Sequence, residues 1–249
     1  MSGHNKWSSI KHKKAAVDAK KGRVFTKVIR EITVAARSGG GDPDSNPALR
    51  LALGKARDAN MPQENVTRAI KRGTGELEGV NYEEVLYEGY APGGIGLLVR
   101  ALTDNRNRSA ADIRAIFTKK GGSMASQGAV SYLFQRKGFF AIPAGSVNEE
   151  DLFMLATDAG AEDFQKQGEV FEIITPVESF DSVRKALESA GIQPERSELS
   201  RIPETTVPVG DLETAAKLQA LVEALEDNDD VQTVYDNSDI PDEILEQLS

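Results

Sequence analysis

Between Arg23 and Arg37 the apolar residues Phe25, Val28, Ile29, Ile32, Ala35 and Ala36 recur every three or four positions. At about 100° per residue they share one side of a helix, and Arg23, Lys27, Arg30 and Arg37 gather on the other. The pattern predicts a helix with one face for packing and a cationic stripe open to solvent or to phosphate. Gly39-Gly40-Gly41-Asp42-Pro43 ends it and begins a loop running to Pro47. Leu49, Ala52, Leu53 and Ala56 mark a second helix. A third starts near Pro62, turns Val66, Ala69 and Ile70 inward and closes at Gly73.

From Tyr82 the period falls to two. Val85-Leu86-Tyr87 and Gly96–Leu102 read as strands, and Ser109-Ala110-Ala111-Asp112 fits a capping box for a helix through Ile113, Ile116 and Phe117. Val130–Phe134 returns as strand. A new cycle follows: strand 138–143, helix 149–159, strands 161–166 and 169–175, helix 179–190, strand 196–202. This β-α-β-β-α-β order is that of a ferredoxin-like split unit. A short strand at Val207–Val209, a helix over 211–226 and a strand at Val231–Tyr235 would complete the unit begun at Gly96.

The expected fold class is therefore α+β: a basic all-α N-terminal domain followed by two ferredoxin-like α+β domains, one inserted in the other. The predicted boundaries are 1–75 for the helical domain, 80–136 plus 206–238 for the host, 137–205 for the insert and 239–249 for an acidic tail.

Charge sharpens this picture. The chain of 249 residues carries a net charge of −9. Residues 1–72 nevertheless hold 16 basic and 6 acidic side chains, residues 100–140 hold 8 and 2, and residues 141–249 hold 6 and 26. An N-terminal segment opposed in sign to the rest of its own chain makes a polyanion the first partner to consider. Residues 8–21 place lysines all round a helical axis, with only Ile10 and Val17 as large apolar residues. They read as a poorly buried helix or as an arm that orders on a partner. The candidate nucleic-acid-binding residues are Lys6, Lys11, His12, Lys13, Lys14, Lys20, Lys21, Arg23, Lys27, Arg30 and Arg37. Trp7, the single tryptophan, either stacks on an unpaired base or pins the arm to the helical domain, and pinning is the commoner use.

Two further features bear on nucleic acid. The break at Asn60-Met61-Pro62 admits a helix-turn-helix reading with Gln63, Asn65, Arg68, Lys71 and Arg72 facing bases, although helix–short turn–helix is also a common structural unit. The run Thr103-Asp104-Asn105-Arg106-Asn107-Arg108-Ser109 is dense in hydrogen-bonding groups at a strand-to-helix junction. Asp104, Asn105, Arg106 and Arg108 form either a second phosphate contact or hinge, or a structural loop with solvated arginines.

Enzymatic chemistry finds little support. The chain has no cysteine, its two histidines, His4 and His12, lack ligand partners nearby, and no phosphate-binding loop or nucleophile elbow occurs. Glu226-Asp227-Asn228-Asp229-Asp230 lacks the glycine and spaced Glu of a calcium loop and reads as a helix C-terminus and polar turn. No cofactor, metal or membrane segment is expected, and a cytoplasmic location is.

Gly3-His4-Asn5-Lys6-Trp7, Ile10–Ala16, Phe25-Thr26-Lys27, the Gly39–Pro47 loop, Tyr87-Glu88-Gly89-Tyr90, Leu102–Arg108 and Gly121-Gly122 closely resemble the YebC/PmpR family, nearly end to end. The resemblance implies three domains, one helical and two α+β, in a protein usually labelled a probable transcriptional regulator that binds DNA. It also implies an alternative, because a mitochondrial relative activates translation of cytochrome c oxidase and bacterial members are linked to ribosomes stalled on proline-rich sequence. The family brings no agreed functional residues, so the site residues above rest on charge and geometry. The expectation is a non-enzymatic nucleic-acid-binding regulator of gene expression. DNA-binding transcriptional control stands first, a ribosome- or rRNA-binding translation factor second, and a protein partner at the acidic domains remains open.

Overall fold

A computed structural model describes the backbone of residues 19–248 and the side chains of residues 22–248. Among the described residues three helices come first: α1 (Ala19–Gly39), α2 (Pro47–Asp58) and α3 (Gln63–Thr74). They are followed by β1 (Glu83–Tyr90), β2 (Gly96–Thr103), α4 (Arg106–Lys119) and β3 (Ser123–Ala125). Next come β4 (Phe134–Pro143), α5 (Glu149–Asp158), β5 (Asp163–Gln167), β6 (Val170–Thr175), α6 (Phe180–Ser189) and β7 (Arg196–Pro203). The chain ends with β8 (Val207–Pro208), α7 (Leu212–Glu226), β9 (Val231–Asp236), β10 (Ser238–Asp239) and α8 (Asp242–Gln247).

The predicted apolar stripe of α1 is buried as expected: Val28, Ile32, Ala35 and Ala36 pack with Leu49, Ala52 and Ala56 of α2 and with Val66 and Ala69 of α3. α1 is the spine, and α2 and α3 lie on it far more than on each other. The α1–α3 crossing is close because Gly73 has no side chain. A Cβ there would sit 2.5 Å from the Thr33 carbonyl oxygen and 2.6 Å from Ala36 Cβ. Asn46 is buried at the head of α2. Its Oδ1 accepts from Leu49 N as the N-cap, and its Nδ2 donates to Ala35 O and Gly40 O, which fixes the loop after α1.

The remainder divides at an insertion. Phe134–Glu204 form one compact unit and the flanking segments form the other, so the second α+β domain is threaded into the first. The inserted sheet has the order β5-β6-β4-β7, wholly antiparallel, which is the ferredoxin-like order. Its core centres on Phe140, Ile142, Leu152, Phe171, Ile173, Val183 and Leu187, with Phe180 stacked on Phe140.

The host sheet runs β3-β1-β2-β9, also antiparallel. Alternation along β2 puts Leu97, Val99 and Ala101 into one cluster with Ile113 and Phe117 of α4 and Leu218, Leu221 and Leu225 of α7. Arg100 projects from the opposite face and reaches Glu31 of α1 at 3.2 Å. With both faces covered, the continuous apolar run of β2 is accounted for.

Four expectations change. The strand at Val207–Pro208 does not enter the host sheet; it pairs in parallel with β10, and β1 takes the place that β6 holds in the insert. Pro208 has no N–H to offer a central ladder. The helix expected to open at Ser109 opens at Arg106, because Asn105 Oδ1 already accepts from Arg108 N. Residues 131–133 make a 3-10 turn, and strand begins only at Phe134. The segment expected as an acidic tail contributes Ile240 and Leu245 to the host core.

Candidate nucleic-acid interface

Of the cations predicted to bind nucleic acid, Lys6, Lys11, His12, Lys13 and Lys14, and the side chains of Lys20 and Lys21, lie outside the described residues, as does Trp7. The stripe on α1 is described, and it is not an open surface. Arg23 Nη1 is 2.6 Å from Asp227 Oδ1, Lys27 Nζ donates to Glu226 O at 2.7 Å, and Arg30 Nη1 is 2.6 Å from both Asp229 O and Asp230 Oδ1. The physical reason lies in α7. Its last turn carries no basic residue, so its unpaired carbonyls and the negative end of its dipole have no cation of their own. α1 supplies those cations from elsewhere in the chain. Arg37 is exposed and donates to Val80 O at 3.3 Å.

Asp230 is the centre of this junction. It is 4% exposed and gathers Arg30, Arg108 at 3.0 Å, Ser109 Oγ at 2.5 Å and Thr103 Oγ1 at 3.2 Å. Burial works to raise its pKa, but the hydroxyl of Ser109 and the guanidinium groups of Arg108 and Arg30 outweigh that and hold it below the usual carboxylate value. The loop predicted as a second contact or hinge is therefore largely spent on structure. Asp104 pairs with Arg108 at 2.7 Å, Asn105 caps α4, and Arg108 reaches Asp230. All four are exposed, Arg106 the more open of the two arginines, 3.7 Å from Glu83.

A second ionic cluster ties α1 to the host sheet and to α2. Glu31 accepts from Lys55 at 2.8 Å and from Arg100, which also pairs with Glu84. Burial pushes the Glu31 carboxyl up, and Lys55 and Arg100 together bring it net below its ordinary value.

Glu88 shapes the surface beyond β3. This buried carboxylate accepts backbone N–H groups from Gly128 at 2.7 Å, Val130 at 2.7 Å and Ser131 at 2.9 Å. Desolvation opposes its ionisation, and the three donors overcome it, leaving the pKa lowered. Those N–H groups are thus committed to a side chain, which is why residues 130–133 do not extend as a strand. Tyr90 Oη donates to Ala129 O at 3.1 Å and holds the same loop. Nothing in the charge pattern pointed to Glu88; its place in the Tyr87-Glu88-Gly89-Tyr90 motif was the signal available.

The outward cations are not those of the α1 stripe; two of them, Lys71 and Arg72, belong to the helix-turn-helix reading. Arg57, Lys71 and Arg72 are exposed and have no ion pair among the described residues, and the same holds for Arg114 and Lys119 on α4. Arg68 is partnered by Glu64, one turn earlier on α3. Among the described residues no cluster of three or more His, Cys, Asp or Glu is placed to hold a metal ion. No described helix is long and apolar enough to cross a membrane.

This arrangement has known counterparts. Residues 5–76 match the model of the TACO1/YebC protein N-terminal domain, and residues 82–238 match that of the TACO1/YebC second and third domain. The chain belongs to the TACO1/YebC family. A probable transcriptional regulatory protein of Persephonella marina is 56% identical over 250 residues, covering 100% of both chains. Another from a Sulfurihydrogenibium species is 57% identical over 249 residues, covering 100% of this chain and 99% of its own. The crystal structure of a conserved hypothetical protein from Aquifex aeolicus superposes with a TM-score of 0.84 at 51% identity, covering 93% of this chain and 96% of that one. The family expected from the sequence motifs and the α+β fold class both stand.

Proposed function

We propose that the protein is a non-enzymatic regulator of gene expression that binds nucleic acid through its basic N-terminal region. The division of labour among its cations carries this reading. Arg23, Lys27 and Arg30 are consumed by residues 226–230, yet the N-terminal region still presents Arg57, Lys71 and Arg72 without ion-pair partners among the described residues. The same region holds Lys6, Lys11, His12, Lys13, Lys14, Lys20 and Lys21 in sequence. A surface evolved only for solubility intersperses both signs; here the positive charge is segregated. The excess of acidic residues beyond position 140 gives that part of the chain the sign that repels phosphate. The names of the relatives, probable transcriptional regulatory protein, favour duplex DNA as the target.

The test is binding of the full chain to labelled duplex DNA across a salt series. With about six phosphates neutralised, the logarithm of affinity falls against the logarithm of salt with a slope near −5. A promoter regulator prefers its own site over unrelated duplex by about 10³ or more. Tighter binding to RNA than to any duplex would move the target from promoter to transcript or ribosome. Binding indifferent to salt, or no binding at all, would end the proposal.

A further inference from the structure

Three cations of α1 meet residues 226–230, and they do not meet them alike. Arg30 is shut in with Asp230, and both side chains are largely hidden from water. Lys27 Nζ donates to the Glu226 carbonyl. Arg23, two turns before Arg30 on the same face of α1, pairs with Asp227 in the open: its side chain is 49% exposed and that of Asp227 is 63% exposed. The seam between α1 and the acidic turn is thus closed at one end and accessible at the other.

Stability does not account for a carboxylate at position 227. Asp227 is the C-cap of α7, where the helix dipole presents its negative end and an acid is unfavourable. An ion pair as exposed as this one returns little, because water and salt screen it. What the carboxylate does achieve is to hold Arg23 Nη1 at 2.6 Å. A carboxylate oxygen against a guanidinium is also the arrangement in which a phosphate oxygen meets it.

The course of α1 shows what would displace Asp227. Lys20 stands three residues before Arg23 on the same helix face, and the sequence before α1 adds Lys6, Lys11, Lys13 and Lys14. A phosphate chain held by those lysines and continuing along α1 comes next to Arg23. There it finds a carboxylate where its own oxygen would sit. Arg30, deeper in the seam, keeps its buried partner and stays out of reach.

We infer that Asp227 is an internal competitor for nucleic acid: its carboxylate occupies Arg23 in the free protein, and a backbone phosphate takes its place on binding. Arg23 is thus a phosphate contact kept closed until it is needed, while the Arg30–Asp230 pair holds the junction throughout. This deepens the proposed function by adding a built-in restraint to the same basic region, and it rests on that reading.

The experiment compares the full chain with Arg23→Ala, Asp227→Asn, Asp229→Asn and the double variant Arg23→Ala with Asp227→Asn. Each is titrated over a salt series with a labelled DNA duplex and with an RNA strand of equal length, and the tighter-bound probe carries the comparison. Asp229→Asn is the control for net charge. Asp229 is exposed two residues away, and its carboxylate has no ion pair among the described residues. Asp227→Asn should bind roughly 2- to 5-fold more tightly than Asp229→Asn, the fold-change to which an exposed ion pair corresponds. Arg23→Ala should bind more weakly than the parent and flatten the salt slope by about 0.9 on duplex, or about 0.7 on a single strand, for one phosphate contact fewer. In the Arg23→Ala background, Asp227→Asn should gain no more than Asp229→Asn gains in the parent, since no guanidinium is left to release. Both sites are exposed, so melting temperatures should match, and Arg23→Gln stands in should Arg23→Ala melt early. A parent that binds in a salt-dependent way while Arg23→Ala keeps its slope and affinity would overturn this inference and spare the proposed function. Equal gains in Asp227→Asn and Asp229→Asn would do the same. A parent that binds neither probe, or binds without regard to salt, would remove both readings.

Discussion

Arg30 and Asp230, two hundred positions apart in sequence, meet at 2.6 Å with side chains only 12% and 6% exposed. The pair joins the first helix to the turn between α7 and β9. A buried ion pair contributes little net stability by itself, because desolvation offsets most of the attraction; removing one partner is what costs. Asp230→Ala would take away the buried carboxylate partner of Arg30, leaving it the Leu102 and Asp229 carbonyls, and would remove one acceptor shared by the hydroxyls of Thr103 and Ser109. The expected loss is about 3–5 kcal/mol in urea unfolding. Asp227→Ala, at an exposed pair, should cost under about 1 kcal/mol. Equal effects for the two would show that the junction is not the anchor described.

Acid should undo the same contacts. Glu31, Glu88 and Asp230 all have folded-state pKa values below their ordinary ones. Unfolded Glu and Asp titrate near about 4.3 and 3.9, so the stability these groups supply is complete above those values. It drains away as pH falls through the unfolded and then the folded pKa. Urea midpoints should be level from about pH 8 to 6 and drop steeply below about pH 5. Glu88→Gln should be less stable than the parent at neutral pH, with the difference shrinking towards about pH 3. A gap of the same size at both ends would refute the assignment to Glu88.

Hydrogen exchange gives an independent view of that carboxylate. In Glu88→Ala the amides of Gly128, Val130 and Ser131 lose their acceptor, and leaving such groups unsatisfied costs about 1–3 kcal/mol each if they stay buried. The loop escapes by opening, so exchange at those amides should speed up by roughly tenfold or more while β2 and β9 stay protected.

Gly73 tests the helical layer. Replacing it with Ala would normally help a helix by up to about 1 kcal/mol. Here the methyl meets the Thr33 carbonyl, a backbone atom that cannot swing aside. Gly73→Ala should therefore destabilise by about 1–3 kcal/mol, the range typical of overpacking. A rise in melting temperature would mean that α1 and α3 separate more easily than their close approach implies.

The two sets of cations should behave differently under charge reversal. Lys71→Glu with Arg72→Glu should lower nucleic-acid affinity and flatten the salt slope by about 0.9 for each phosphate no longer neutralised, without moving the melting temperature. Arg30→Glu should do the opposite, unfolding the junction first. If Arg30→Glu folded normally and failed to bind like the α3 pair, α1 would have to present its cations outwards after all.

Much of this fold was legible because burial has a period. The α1 stripe, the alternation in β2 and the order of elements in 134–204 all follow from one covered face per element. Charge was harder to read. Periodicity places Arg23, Lys27 and Arg30 on one face, but says nothing about whether that face meets water or an acidic turn about two hundred residues away. The acidic run 226–230 and the basic face of α1 were each visible; only the tertiary structure pairs them. Val130–Phe134 looked like a strand because apolar content does not reveal that a distant glutamate has claimed the backbone donors. Ser109 looked like a cap since a serine before a helical run usually is one, and Asn105 simply stood earlier in line.

Phe134 and Pro203 face each other as the outermost pair of the β4–β7 ladder, so the inserted domain begins and finishes at neighbouring points. A segment with adjoining ends imposes only a small closure penalty on the chain that hosts it. It is a transplantable cassette: excised, it leaves a gap that a short turn can bridge, and lengthened or recharged, it need not disturb the strands on either side. Evolution can therefore retune this acidic module, or exchange it, while the cationic N-terminal region and its grip on Asp230 stay as they are.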